Sequence, residues 1–143
     1  MNEAPTTFMR WFEDEKQGLI VLSLGPDDLL LESIEAAARE ARIHTGSVVS
    51  GLGSLKRASF HTLGCDQELD EPLEIIGLTG AIANYEPHIH LTLSDRSGRF
   101  YGGHLKGGCP IATVAEISIL RLPDLRLIRR IRDGSRIPLL DNE

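Results

Sequence analysis

Residues 73–105 read LEIIGLTGAIANYEPHIHLTLSDRSGRFYGGHL. Apolar and β-branched residues fill three short runs here: Leu73–Ala83, Pro87–Leu93 and Arg99–Leu105. Each has strand composition, and the Asp95–Gly98 segment DRSG between the last two is turn chemistry. No helical period interrupts them. Strands that follow one another without alternating helices argue against a Rossmann-like or barrel α/β fold and for a mainly antiparallel sheet.

The pattern continues on both sides. Upstream, Ser47–Gly53 (SVVSGLG) and Ser54–Leu63 (SLKRASFHTL) read as strands, and LGCDQELDEP as a turn region. Downstream, Ala112–Leu120 and Leu125–Ile131 are strand candidates, separated by LPD. Near the start, Phe8–Glu13 and Gly18–Leu24 flank DEKQ and read as a hairpin. The glycines of SGLGSL do not form a phosphate loop, because GxGxxG is missing and no helix pattern follows. Residues 1–137 are expected to form one domain and residues 138–143 a C-terminal tail.

One helix stands out, from Pro26 to about Ile43. Proline suits the first helical position, and Asp27 and Asp28 suit the first turn. Leu30, Ile34, Ala37, Ala38 and Ala41 recur at spacings of three and four and make one apolar face. Gly46 is the expected stop, with His44 interacting with the helix C-terminal dipole. The fold class is therefore α+β, with one main helix packed on the sheet.

Composition narrows the function. The 143 residues carry 15 Lys+Arg against 21 Asp+Glu, a net charge of −6. This excludes a chain that grips nucleic acid with its whole surface, but not a local basic patch. Such a patch exists: Arg121, Arg126, Arg129, Arg130, Arg132 and Arg136 face only Asp124 and Asp133 in that stretch. Arg126, Arg129, Arg130 and Arg132 are candidate phosphate contacts; a solvated arginine face of a last strand explains the same pattern. The 2 cysteines make no disulfide framework. No apolar run approaches the roughly 18–20 residues of a membrane helix, and no secretory signal is visible, so a cytoplasmic protein is expected.

Three of the 5 histidines lie close together: His88, His90 and His104. His-x-His on a strand puts both rings on one face. His104 joins them only if the hairpin connection is odd in length, so that it pairs with His88 or His90. A three-residue loop with Gly98 left-handed achieves this, as does a bulge at Gly102 or Gly103. Three imidazoles make a half-open divalent site, with zinc the default and nickel, cobalt or iron compatible with the same donors. Cys109 and Glu116 are candidates to support the site from behind the ligands, Glu116 as a partner for a histidine N–H or as a base. His61 has no visible partner, and no catalytic nucleophile is recognisable.

The motif PHIHLTLSDRSGRFYGGHL, with LEIIGLTGAIA and SGLGSLKRASF before it, resembles the plant-and-prokaryote conserved (PPC) domain. The likeness covers about Phe8 to Ile131. It implies a curved, mainly antiparallel sheet with one packed helix, a homotrimer, and a zinc site at His88, His90 and His104. Plant members of that family join the domain to AT-hook segments that enter the minor groove of DNA, and prokaryotic members take their DNA-binding label from them. This chain has no Arg-Gly-Arg-Pro hook core. The resemblance thus implies a trimeric metal-binding module with a binding or regulatory role and a DNA or protein partner. Two alternatives stay open. One is a metal-dependent lyase or hydrolase, since the fold also resembles that of acetolactate decarboxylase. The other is a DNA-binding protein acting through the C-terminal arginines.

Overall fold

Residues 7–143 are described by the structure, a computed structural model; the first six residues of the expected domain 1–137 lie outside the described residues. In chain order the elements are β1 (Arg10–Asp14), β2 (Leu19–Leu24), α1 (Leu30–Glu40), β3 (Thr45–Leu55), β4 (Ala58–His61), β5 (Asp66–Leu69), β6 (Leu73–Ala83), β7 (Glu86–Ser94), β8 (Phe100–Leu105), β9 (Ile111–Arg121), β10 (Leu127–Arg130) and β11 (Leu139–Asn142). Nine strands form one sheet in the order β1-β2-β9-β3-β6-β7-β8-β4-β5, and β10 pairs with β11 in a separate ribbon. Every pairing is antiparallel. The architecture is α+β, a mainly antiparallel sheet with one helix.

Alternation along the strands gives the sheet two different faces. Ile20, Leu22, Leu24, Leu55, Leu78, Ile89, Leu93, Ile117 and Ile119 are buried on the inner face. Leu30, Ile34, Ala37 and Ala38 of α1 close over them in the same core. Each buried Leu or Ile contributes about 1.5–3 kcal/mol. The helix touches both β2 and β7, which stand four strand positions apart in the sheet. A flat sheet would separate them by about 19 Å, more than the ~10–12 Å diameter of a helix, so the sheet curls around α1.

The helix is shorter than its apolar period suggests. Asp27 lies at φ +68°, a conformation that cannot continue a helix. The Asp28 carboxylate instead ties the preceding loop, accepting from Gly25 N at 2.9 Å, Phe8 N at 3.1 Å and the Thr7 hydroxyl at 2.7 Å. At the other end the stop is Arg42, not Gly46. Ile43 N donates to Ala38 O at 2.7 Å and Arg42 N to Arg39 O at 3.2 Å, with Arg42 left-handed at φ +56°. That is a Schellman cap with arginine where glycine is usual. His44 therefore lies beyond the helix, buried ahead of β3.

Three other expectations are corrected. Ser47–Gly53 and Ser54–Leu63 are not two strands with a break at Gly53; β3 runs through to Leu55 with register shifts at Val48/Ser50 and Gly53/Leu55. The region LGCDQELDEP contains a strand, β5, paired with β4. The segment from Pro138 to Glu143 is not a loose tail, because β11 within it pairs along β10 from Leu127↔Asn142 to Arg130↔Leu139. No described helix is long and apolar enough to cross a membrane.

Candidate metal centre

The β7–β8 hairpin sets the geometry. His90 pairs directly with His104, and Ser94 with Phe100. Asp95 N donates to Arg99 O and Gly98 N to Asp95 O, both at 3.0 Å, so Arg96, Ser97 and Gly98 form the loop. Gly98 is left-handed at φ +77°, as an odd connection of this kind requires. The Asp95 carboxylate fixes the turn by accepting from Ser97 N at 2.8 Å, Arg99 N at 3.0 Å and the Tyr101 hydroxyl at 3.2 Å. These bonds hold its carboxyl below the usual carboxylate range, the Arg99 amide most of all.

Ile89, Leu91 and Leu105 enter the core, so His88, His90 and His104 stand together on the outer face. One nitrogen from each ring lies within 4.8 Å of the other two. The Nε2 atoms of His88 and His90 are 3.2 Å apart. Ring centroids are 5.1, 4.7 and 5.6 Å apart for His88–His90, His88–His104 and His90–His104. Nitrogens about 2.0–2.1 Å from one tetrahedral ion stand about 3.3 Å from each other, so this spacing suits a shared cation. The charge state suits it too. Burial pushes His88 and His104 below the ordinary histidine range, and neighbouring positive charge adds to it, from His104, Arg129 and His90 on His88 and from His90, His61 and Arg129 on His104. Neutral imidazole is the form that binds metal. The donor set therefore fits a divalent ion with an open position.

The other candidates separate. Glu116 sits on β9, paired with Leu52 and Ser23. With β3 and β6 between β9 and β7, it is about 14 Å from the histidine strand by strand spacing and cannot bond a ring N–H. Cys109 is buried in the core. It accepts from Ser59 N at 3.2 Å and lies on the face away from the histidines; burial pushes its thiol up, which makes it unreactive. Arg126 bonds the Glu143 carboxylate at 2.6 Å, and Arg130 lies 3.6 Å from Asp141. Arg132 is exposed beyond β10. Arg129 is the member of the series whose charge is felt at the histidines.

One neighbour escapes the sequence pattern. His61 pairs with His104 across β4 and β8. Its Nδ1 meets Asp66 Oδ1 at 2.7 Å, and Lys106 donates to Asp66 Oδ2 at 2.8 Å. Both bonds, that of Lys106 first, hold the Asp66 carboxyl below its usual range. An ionised Asp66 makes Nδ1 a protonated nitrogen of His61, so that in the neutral ring Nε2 is the acceptor. A cavity of about 640 Å³ is lined by His61, Thr62, Leu63, His90 and His104 among others. Gly103 permits this approach: a Cβ there would stand 2.5 Å from His61 O. His61 and its partner His104 are 43 positions apart in sequence (61 to 104), so no local signal joins His61 to the cluster.

Comparison with known proteins follows the same outline. The family model described as the Plants and Prokaryotes Conserved (PCC) domain matches residues 12–123. A Synechococcus protein, bifunctional protein GlmU, is 38% identical over 111 residues; the match takes in 76% of this chain but 18% of that protein's length. A Bacteroides thetaiotaomicron protein whose name proposes DNA binding superposes with TM-score 0.83 at 19% identity, over 94% of this chain and 97% of that one. A metal-containing protein from Archaeoglobus fulgidus superposes with TM-score 0.71 at 24% identity, over 95% and 98%. At these identities the structural likeness is one of fold.

Proposed function

The chain belongs to the Plants and Prokaryotes Conserved (PCC) domain family, and from that premise we propose that it is a homotrimeric module built around a divalent metal, zinc by preference, with a binding or regulatory role. The observation that carries the reading is the convergence of His88, His90 and His104, whose donor nitrogens lie within 4.8 Å of one another. The metal-containing Archaeoglobus relative with the same fold supports it. A metal held by three imidazoles supplies a Lewis acid with a free position. The chain's own part is to bias His88 and His104 toward the neutral form and to set Asp66-oriented His61 on the cavity that His90 and His104 also line.

The trimer rests on the outer face of the sheet. Phe12, Val21, Leu52, Ile76, Phe100 and Val114 are exposed there at 39–69%. Apolar exposure spread over one sheet face marks an association surface, and a second copy of the chain is its natural cover.

The cavity shared by His61, His90 and His104 favours a second reading, a metal-dependent lyase or hydrolase. Its substrate would reach the free metal position with His61 Nε2 as acceptor. A DNA-associated role draws support from the naming of the Bacteroides relative; three of the six C-terminal-region arginines, Arg121, Arg126 and Arg130, are already paired to acids.

The test is metal content after refolding with zinc or cobalt, with light scattering on the same samples. One metal per chain in the parent and none in His104→Ala, both trimeric, is the expected result. A parent that takes up no metal, or a His104→Ala variant that keeps it, removes the metal reading.

A further inference from the structure

A small cavity of about 190 Å³ opens beside the β6–β7 turn, and its walls include Arg42, His44, Tyr85, Arg121 and Arg126 but none of the three clustered histidines. His44 is the unusual member. Its side chain is 9% exposed, and its Nε2 is buried with no hydrogen-bond partner. Its other nitrogen, Nδ1, is 2.9 Å from Thr45 Oγ1. That oxygen also accepts from Leu127 N at 2.9 Å. With an amide already donating to it, the Thr45 hydroxyl is set to give its own hydrogen to Nδ1, which leaves the proton of a neutral His44 on Nε2. The buried, unsatisfied atom is then a donor.

The nearest acceptor is a carboxylate. Glu143 Oε2 stands 2.6 Å from Arg126 Nε and 3.4 Å from His44 Nε2. It satisfies the arginine and stops short of the histidine. Arg126 first, with His44 adding, holds the Glu143 carboxyl below its usual range. Arg121 is not free to help: Glu13 Oε1 accepts from its Nη2 at 3.0 Å, and its Nη1 donates to Arg42 O at 2.8 Å. That last bond pins the Arg42 backbone at the cavity wall.

We propose that His44, Arg42 and Arg126 form a binding site for a small oxyanion of phosphate or carboxylate type, for which the Glu143 side chain is an imperfect internal substitute. A tetrahedral or planar oxyanion offers several acceptor oxygens in a compact group, and so can meet Arg126 and His44 together where one tethered carboxylate oxygen does not. The Arg126 guanidinium and the buried His44 imidazole, which already share one carboxylate oxygen, match that chemistry, and the cavity beside them, with Arg42 in its wall, has room for the rest of the group. The site is separate from the histidine cluster and does not depend on a metal. It gives one of the arginines after Leu120 a small-anion role in place of a nucleic-acid one.

The experiment compares the parent with Glu143→Gln, titrating inorganic phosphate and, in a second arm, acetate, with chloride at matched ionic strength as control. Binding is read by calorimetry and by the ring nitrogen resonances of His44. The expected result is at least tenfold tighter phosphate or acetate binding by Glu143→Gln than by the parent, with the His44 Nε2 resonance moving. Adding Arg126→Gln to Glu143→Gln abolishes it. The arm that saturates first assigns the anion class. Equal binding by parent and Glu143→Gln, a response that chloride reproduces, or binding that survives the Arg126→Gln change overturns the proposal. Arg126 is exposed, so its variant tests the site even if changes at buried His44 prevent folding.

Discussion

His88 and His104 sit below the ordinary histidine range because partial burial and the positive charges around them both oppose protonation. This has a stability consequence of fixed sign. Protons bind these rings more readily in the unfolded chain, whose histidines titrate near 6.5. Stability from the pair is therefore complete above that value and is lost as pH falls toward the lowered folded pKa values. The metal-free protein is expected to melt at progressively lower temperature from about pH 7 to pH 5, and the paired change His88→Ala with His104→Ala should flatten that slope. A slope unchanged by the double substitution would show that other groups govern it. Bound metal steepens the dependence, since protons compete for the same nitrogens. His61 is a separate matter. Its ring is turned to Asp66 and its nitrogens are outside the close triad, so His61→Ala should retain a full complement of metal by elemental analysis, where His90→Ala should not.

At the scale of the element, the β7–β8 hairpin does the positioning, and its weak point is Gly98 at φ +77°. Alanine there costs about 1–2 kcal/mol in a left-handed conformation. Chemical denaturation of Gly98→Ala should show a loss of that size, and metal affinity should fall with it as the His90–His104 register loosens. Unchanged stability would mean that the loop adopts another turn. This hairpin was readable in the sequence because everything that fixes it is local: the parity of the histidines, the DRSG turn and the glycine. The hairpin from β1 to β2 was readable for the same reason. What the sequence hid is non-local. Gly53 looked like a strand end, yet β3 passes through it, with β6 and β9 supplying partners on both sides. Cys65–Asp70 looked like a turn because its polar residues lie on an edge strand. Pro26 looked like a helix start until Asp28 was drawn into bonds with Gly25, Phe8 and Thr7. Glu116 looked available to the histidines because spacing along a chain says nothing of how many strands stand between. His61 was invisible for the converse reason.

For the whole molecule, the outer sheet face and the charge balance decide the partners. Leu52 is 53% exposed and lies directly opposite Glu116, so Leu52→Glu sets two like charges side by side on the proposed trimer surface. Light scattering should show that variant as smaller than the parent at the same concentration; an unchanged mass would place the contact elsewhere. DNA tests the other surface. Each copy carries −6, and a trimer three times that, so the long-range field repels a polyanion. Helix α1 offers no remedy, because Glu32, Glu35 and Glu40 outnumber Arg39 along it. What remains is the arginine ribbon, where Arg126 and Arg130 are engaged with Glu143 and Asp141. Arg129, Arg132 and Arg136 have no acidic partner within an ion-pair distance among the described residues. Three phosphate contacts per chain give a slope of about −3 in log affinity against log salt. Phosphate contacts position a protein without reading sequence. Filter binding to duplexes of unrelated sequence should therefore give weak, nearly equal affinities that fall with that slope, and Arg132→Gln should reduce the slope by about 1. A single preferred duplex, bound at nanomolar concentration in physiological salt, would instead require base-edge contacts and would overturn this expectation.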